Sequence, residues 1–232
     1  MNLLSIILQT VGEAAQPVLT PLEEESGLNV MSLALKGGYI MIPLLLLSLL
    51  TIYIFVERLL VIRKAAREDH SFMERIKDYI HDGDIDSALK LCEKTDTPYA
   101  RLIEKGITRL GRPMNDVLVT IENVGNIEIA NLEKGFPWLS TTAAGAPMIG
   151  FLGTVTGMVR AFYNMASAGN SADITTLSGG IYEALATTVA GLVVGIIALF
   201  AYNYLVARVD GVMNQLEAKT MEFMDLLNEP AK

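Results

Sequence analysis

The chain has 232 residues, 51% of them hydrophobic, a mean hydropathy of +0.39 and a formal net charge of −8. Hydropathy this high points to an integral membrane protein rather than a soluble domain. The acidic balance, with no long basic tract, argues against nucleic-acid binding.

Residues 1–36 open with MNLLSIILQTVGEAAQ, which is apolar but has no positive leader and soon meets Glu13. A signal peptide needs that positive region. An amphipathic helix lying on the membrane surface, in contact with lipid, is the better expectation. Pro17, Pro21 and the run Glu23–Glu25 separate it from the first long apolar segment.

Three segments are long and uncharged: 20 residues over Gly37–Val56, 25 over Gly135–Val159 and 24 over Ala184–Ala207. Each is long enough to cross a bilayer core as a helix. Arg58, Arg63, Lys64 and Arg67 follow the first, and Arg208 follows the third. The 36 residues before the first hold only Lys36, and the loop between the second and third holds only Arg160, at its edge. Excess Lys and Arg marks the cytoplasmic side, so the N-terminus is expected outside, with residues 63–134 and the C-terminal tail inside.

Residues 63–134 carry 12 basic and 14 acidic groups, a balance that a solvated helical surface explains. Phe72, Ile76, Tyr79 and Ile80 form an apolar stripe that stops at Gly83. Asp84 is placed to cap a second helix bearing Ile85, Ala88, Leu89 and Cys92. A third helix carries Ala100, Ile103, Ile107 and Leu110 and ends near Gly111. Pro113 suits the first turn of a long helix with Val117, Ile121, Val124, Glu128 and Leu132 on one face. That helix is expected to run on into the second span, with a bend at Pro137. The third span is likewise expected to continue into an amphipathic tail with Val209, Met213, Leu216, Met224 and Leu227. No strand pattern is persuasive.

An enzyme is not expected. Cys92 is the lone cysteine and lacks a convincing base, and His70 and His81 are too poorly spaced to suggest a metal site. Gly150-x-x-Gly153 lies inside a predicted membrane helix and is not a phosphate-binding loop.

Helical spacing sorts the second and third spans into faces. Pro147, Gly150, Thr154, Gly157 and Ala161 form one stripe, and Ala184, Thr188, Gly191, Gly195 and Ala198 another. Each stripe is small along its length and carries a threonine. One reading is close helix packing, with each hydroxyl bonded back to a carbonyl of its own preceding turn. The other is a polar constriction around a narrow aqueous or proton-conducting path. Glu183 is the only carboxylate close to the third span. At the start of that helix it would be favoured by the helix dipole, and deeper it would need a partner, a proton or water. Thr187 lies about 40° from it around an ideal helix and Thr188 about 140°, so Glu183 and Thr188 are expected to do different jobs. No span holds an ionisable group near its middle, so a titratable group in the bilayer would have to come from a partner.

WLSTTAAGAPMIGFLGTVTGMVRAF at 138–162 and GGIYEALATTVAGLVVGIIALFAYN at 179–203 resemble the MotA/TolQ/ExbB proton-channel family, most closely its ExbB and TolQ members. The likeness covers nearly all of residues 30–210. KGGYIMIPLLLLSLLTIYIFVERLL at 36–60 is similar to the first span of ExbB-like proteins of Bacteroidetes, whereas MotA has four spans. The resemblance implies an all-α integral membrane protein of three transmembrane helices, the second and third extended into the cytoplasm, assembled as a homopentamer around a central pore. It also implies a place in the bacterial inner membrane. The segments expected are a periplasmic stretch at 1–36, a first span at 37–62, a cytoplasmic helical domain at 63–134 and a second span at 135–165. A periplasmic loop at 166–178, a third span at 179–207 and a cytoplasmic helix at 208–232 follow.

By the same resemblance, two copies of an ExbD- or TolR-like single-span partner sit in the pore and supply a titratable aspartate. Thr154 and Thr188 match the family's pore-lining threonines and Glu183 its glutamate; Thr187, where a non-polar residue is common, departs from the pattern and widens the hydroxyl ring, and Thr156 adds another hydroxyl in the second span. Gly150, Gly157, Gly191 and Gly195 are expected to give a smooth wall against which an enclosed helix turns, so that Gly191→Leu would block function and leave the pentamer assembled. Protons are the ion and no cofactor is implied. A TonB-like arm would pass work to the outer membrane in uptake, with a TolQ-like role in envelope maintenance as the alternative. A non-conducting membrane scaffold is the reading from a different class.

Overall fold

The computed structural model describes residues 37–67, 70–168 and 174–228. The amphipathic helix expected within residues 1–36, and residues 169–173 of the expected loop, lie outside that set. Every regular element among the described residues is helical.

A short 3-10 turn at Gly38–Ile40 leads into α1, Met41–Ala65. Leu and Ile dominate α1, and its Pro43 falls in the first turn, where a missing N–H costs no hydrogen bond. Arg63 and Lys64 occupy the last turn and complement the helix dipole. Leu44, Thr51, Ile54 and Ile62 are buried along one face, while Leu45, Leu46, Leu49, Ile52 and Tyr53 are exposed. An apolar face left open in this way is what a lipid-contacting helix presents.

Three short helices follow: α2 (His70–His81), α3 (Ile85–Thr95) and α4 (Pro98–Ile107). The chain turns at Gly83 with φ 72°, and Asp84 caps α3 as the sequence predicts. Its carboxylate accepts from the Ser87 N–H at 3.1 Å and from the Ser87 hydroxyl at 2.6 Å. These bonds hold the Asp84 carboxyl below its usual range. Pro98 starts α4 in the first turn.

Helix α5, Met114–Leu132, has Pro113 as its cap, one position earlier than expected. It does not run into the second span. The chain breaks over residues 133–135, and α6 (Phe136–Ala168) starts afresh. The sequence reading placed a bend at Pro137; the break lies instead at Gly135, whose φ of 89° is open to glycine and strained for other residues. Pro137 then falls in the first turn of α6, where it disturbs nothing. The third span and its tail do form one helix, α7, over Ile174–Asn228.

Among the described residues, helices α1, α6 and α7 contain three segments long and apolar enough to cross a membrane. The α6–α7 pair forms the most extensive contact in the molecule, and α1 lies mainly against α7. Beyond the spans, the C-terminal half of α7 packs against α4 and α5, and one apolar core joins Phe72, Ile76, Ile103, Ile121, Val209 and Phe223. Arg101 on α4 makes a two-pronged ion pair with Glu128 on α5 at 2.8 and 2.7 Å. Cys92 is buried there, and burial pushes its thiol up to about 12. It is a packing residue rather than a nucleophile.

Candidate functional site

The two small stripes found in the sequence face each other. Helices α6 and α7 run antiparallel, and their glycines meet in step. A Cβ on Gly150 would sit 3.1 Å from the Gly191 Cα, and one on Gly191 would sit 2.5 Å from the Ala146 carbonyl oxygen. A Cβ on Gly157 would meet the Ala184 Cβ at 2.8 Å, and one on Gly195 the Pro147 ring at 2.6 Å. Gly180 and Ala161, further along, meet in the same way at 2.7 Å. Gly150, Gly157, Gly191 and Gly195 thus lie in the seam between α6 and α7, where missing side chains let two backbones touch. Leucine at Gly191 would push the two helices apart.

Of the two stripe threonines, Thr154 bonds back to its own helix and Thr188 does not. Thr154, 8% exposed, donates to the Phe151 carbonyl at 2.6 Å, within its own helix. Thr187, 2% exposed, donates at 2.7 Å to Ala184 and also reaches the Gly150 carbonyl at 3.3 Å. Thr188 donates across the seam to the same Gly150 carbonyl at 3.0 Å, and its hydroxyl stands 3.5 Å from that of Thr154. Three hydroxyls and one carbonyl thus gather where α6 and α7 touch. Gly150 serves twice: its missing side chain admits α7, and its carbonyl receives two threonines from it.

Glu183 is not in the first turn of its helix. Helix α7 begins at Ile174, so the carboxylate stands more than two turns in, and the dipole of its own helix does not account for it. It lies instead against Gly38, in the turn that begins the first span; a Cβ there, at φ 65°, would strike the Glu183 carboxylate. Glu183 and Thr187 share one side of α7 and line a cavity of about 280 Å³ with Tyr39, Thr156, Arg160 and Asn164. Thr188 points to the Thr154 side of the seam. The 40° and 140° offsets read from the sequence separate the same residues.

Gly153, Gly180 and the first span's share of the cavity are not among the residues to which the sequence points. Gly153 makes room for the Thr187 hydroxyl, which a Cβ at 153 would strike. Its spacing from Gly150 was visible, but which helix it faced was not. Gly37, Tyr39 and Ile40 line the cavity from the turn that leads into α1, and periodicity within one helix carries no signal of such a meeting.

A model of the MotA/TolQ/ExbB proton channel family matches residues 94–218, which take in α4, α5, α6 and the spanning part of α7. The chain belongs to this family. The family match contains Gly150, Thr154, Glu183, Thr187, Thr188 and Gly191. Biopolymer transport protein ExbB-like 1 of Synechocystis is 35% identical over 182 residues, covering 75% of this chain and 69% of that protein. Biopolymer transport protein ExbB of Neisseria meningitidis is 28% identical over 180 residues, 72% of this chain and 80% of the relative. Tol-Pal system protein TolQ of Haemophilus influenzae is 38% identical over 106 residues, 46% of each chain. The ExbB-named relatives thus share a longer stretch than the TolQ. Membership of this family, with three spanning-capable helices, makes the chain a membrane transport component of the ExbB/TolQ type.

Proposed function

We propose that this protein is the stator subunit of an inner-membrane motor driven by the proton motive force, working with an ExbD-like partner to energise TonB-dependent uptake across the outer membrane. The supporting observation is the gathering of Thr154, Thr187 and Thr188 around one backbone carbonyl between two spans that hold no ionisable group at mid-depth. A hydroxyl both donates and accepts, so such a cluster can hand a proton to a titratable group and take it back without carrying charge itself. The titratable group is the aspartate of a single-span partner, two copies of which stand in a pore lined by five copies of this chain. The N-terminus is periplasmic, and residues 63–134 and 208–232 are cytoplasmic. Moving one charge through 100 mV releases about 2.3 kcal/mol, so substantial mechanical work takes several protons.

A TolQ-like role in envelope maintenance is the second reading, favoured by the higher identity to the Haemophilus TolQ over its shorter match. Intact-complex mass spectrometry of the tagged protein from its native membrane tests both. Five copies with two of an aspartate-bearing single-span protein are expected, and that partner's identity separates uptake from maintenance. A monomer, or a complex with unrelated soluble proteins, overturns the channel reading in favour of a scaffold. In proteoliposomes of the assembled complex, Thr188→Ala is expected to abolish proton flux and Thr188→Ser to retain it.

A further inference from the structure

We propose that the groove between α1 and α7 is a binding site for one anionic phospholipid, which lays an acyl chain between the two helices and sets its phosphate between Arg63 and Arg208. This needs the spans to lie in a bilayer and nothing of the proton path, so the two readings stand or fall separately.

The groove is apolar along its length. Ile52 and Phe55 line it from α1, Ile197, Phe200 and Tyr204 line it from α7, and Ala201, whose side chain is a single methyl, leaves it deep. Its volume is about 480 Å³, and Ile52, Ile197 and Phe200 are exposed along it. The two helices run in the same direction here. Thr51 and Ile196 both line the groove, and further along Phe55 packs against Tyr204 with ring centroids 6.1 Å apart. Twelve residues separate Thr51 from Arg63, and twelve separate Ile196 from Arg208. At about 1.5 Å per residue each arm is roughly 18 Å long, close to the roughly 15 Å of hydrocarbon in one leaflet of a bilayer core about 30 Å thick. A chain that starts at the arginines therefore reaches the end of the groove near the bilayer midplane.

The other end of the groove is cationic. The Tyr204 hydroxyl accepts from Arg208 Nε at 3.1 Å and Nη2 at 3.0 Å, and the guanidinium carbon stands 5.4 Å from the centre of the Tyr204 ring. The Arg63 guanidinium faces the same hydroxyl. Among the described residues, neither arginine forms an ion pair with a carboxylate. Two positive charges thus converge on one neutral oxygen, where they repel each other and the phenol offsets neither. A phosphate offsets both, and its oxygens match the parallel N–H groups of a guanidinium. Tyrosine at this level is also what marks the headgroup region of a bilayer. A bare phosphate would serve the arginines and leave the groove empty. A zwitterionic lipid would fill the groove but bring a second cation beside the arginines. An anionic lipid answers both ends.

The test uses the complex purified in detergent from its native membrane and exposed to equal amounts of phosphatidylglycerol and phosphatidylcholine with the same acyl chains. Native mass spectrometry then counts the lipids retained, and one phosphatidylglycerol per copy of the chain is expected. Arg63→Gln and Arg208→Gln are each expected to lower its preference over phosphatidylcholine about fivefold, the effect of one basic residue at an anionic membrane surface. Ile197→Trp, which fills the groove and leaves both arginines, is expected to abolish retention. Arg67→Gln, which removes an exposed cation from the same end of α1, is expected to leave it unchanged. Equal retention of the two lipids overturns the proposal, as does a loss with Arg67→Gln that equals the loss with Arg63→Gln. Retention untouched by Ile197→Trp also overturns it. If Ile197→Trp instead releases single chains from the complex, a second copy of the chain occupies the groove and the lipid does not. Displacement of the lipid by glycerol 3-phosphate alone would reduce the site to a phosphate site and sink the role of the groove.

Discussion

The two ends of α7 are held by opposite means. In the span, α7 meets α6 through glycine, alanine and threonine, backbone against backbone, with a Cβ on Gly150 or Gly191 falling within 3.1 Å of the facing chain. Beyond the span, the same helix is gripped by large side chains, with Phe223 wholly buried among Ile103, Ile121 and their neighbours. The difference follows from the solvent. Water drives bulky apolar groups together, whereas lipid offers no such gain, and only close approach and hydrogen bonds remain to hold helices in place.

The sharpest way to break that contrast is to exchange the two chemistries. Gly191→Leu is expected to separate α6 from α7 and abolish assembly, because the obstacle is backbone that cannot rotate away; size-exclusion profiles in detergent would report it. Gly145→Leu is the control, since nothing lies within 4 Å of a Cβ there, and its profile is expected to be unchanged. Phe223→Ala should cost about 3–5 kcal/mol, as deletion of a buried aromatic does. Protease cleavage confined to residues 70–132, with the spans protected, would mark its reach; equal cleavage throughout would count against two separately held ends.

A smaller effect is expected at Arg101. Its removal strands Glu128, whose side chain is 12% exposed, and leaving such a group unpaired costs about 1–3 kcal/mol. Thermal unfolding should fall accordingly, and Arg101→Lys should recover only part because the two-pronged geometry is lost. Smallest of all is the reactivity of Cys92. With its thiol pushed up to about 12, alkylation of the folded protein should stay negligible from pH 7 to 9 and appear on unfolding. Ready labelling of folded protein would mean that the helices around it open.

What was legible in the sequence follows the same division. Lone-helix features were readable: three spans from uncharged length, the Asp84 cap from its place after Gly83, the small stripes from their spacing. Features made by several helices were not. The stripes announced either close helix packing or a polar constriction, and spacing alone did not show that Gly150 would lie against Gly191. Glu183 sat near the start of its apolar run, and nothing in that run revealed that the helix begins at Ile174 or that the turn before α1 would present Gly38 to the carboxylate. The break at Gly135 was hidden by Pro137, the louder signal, which is silent in a first turn.

That break gives the two paired helices different mechanical characters. At about 1.5 Å per residue, the 55 residues of α7 form a rod of roughly 80 Å, with no proline in its interior and no interruption from one end to the other. Helices α5 and α6 together are jointed at residues 133–135. A rod tilted by five degrees about its middle swings each tip by about 3–4 Å, whereas a jointed arm absorbs the same angle at its elbow. Of the two helices of this pair, α7 is the unbroken one.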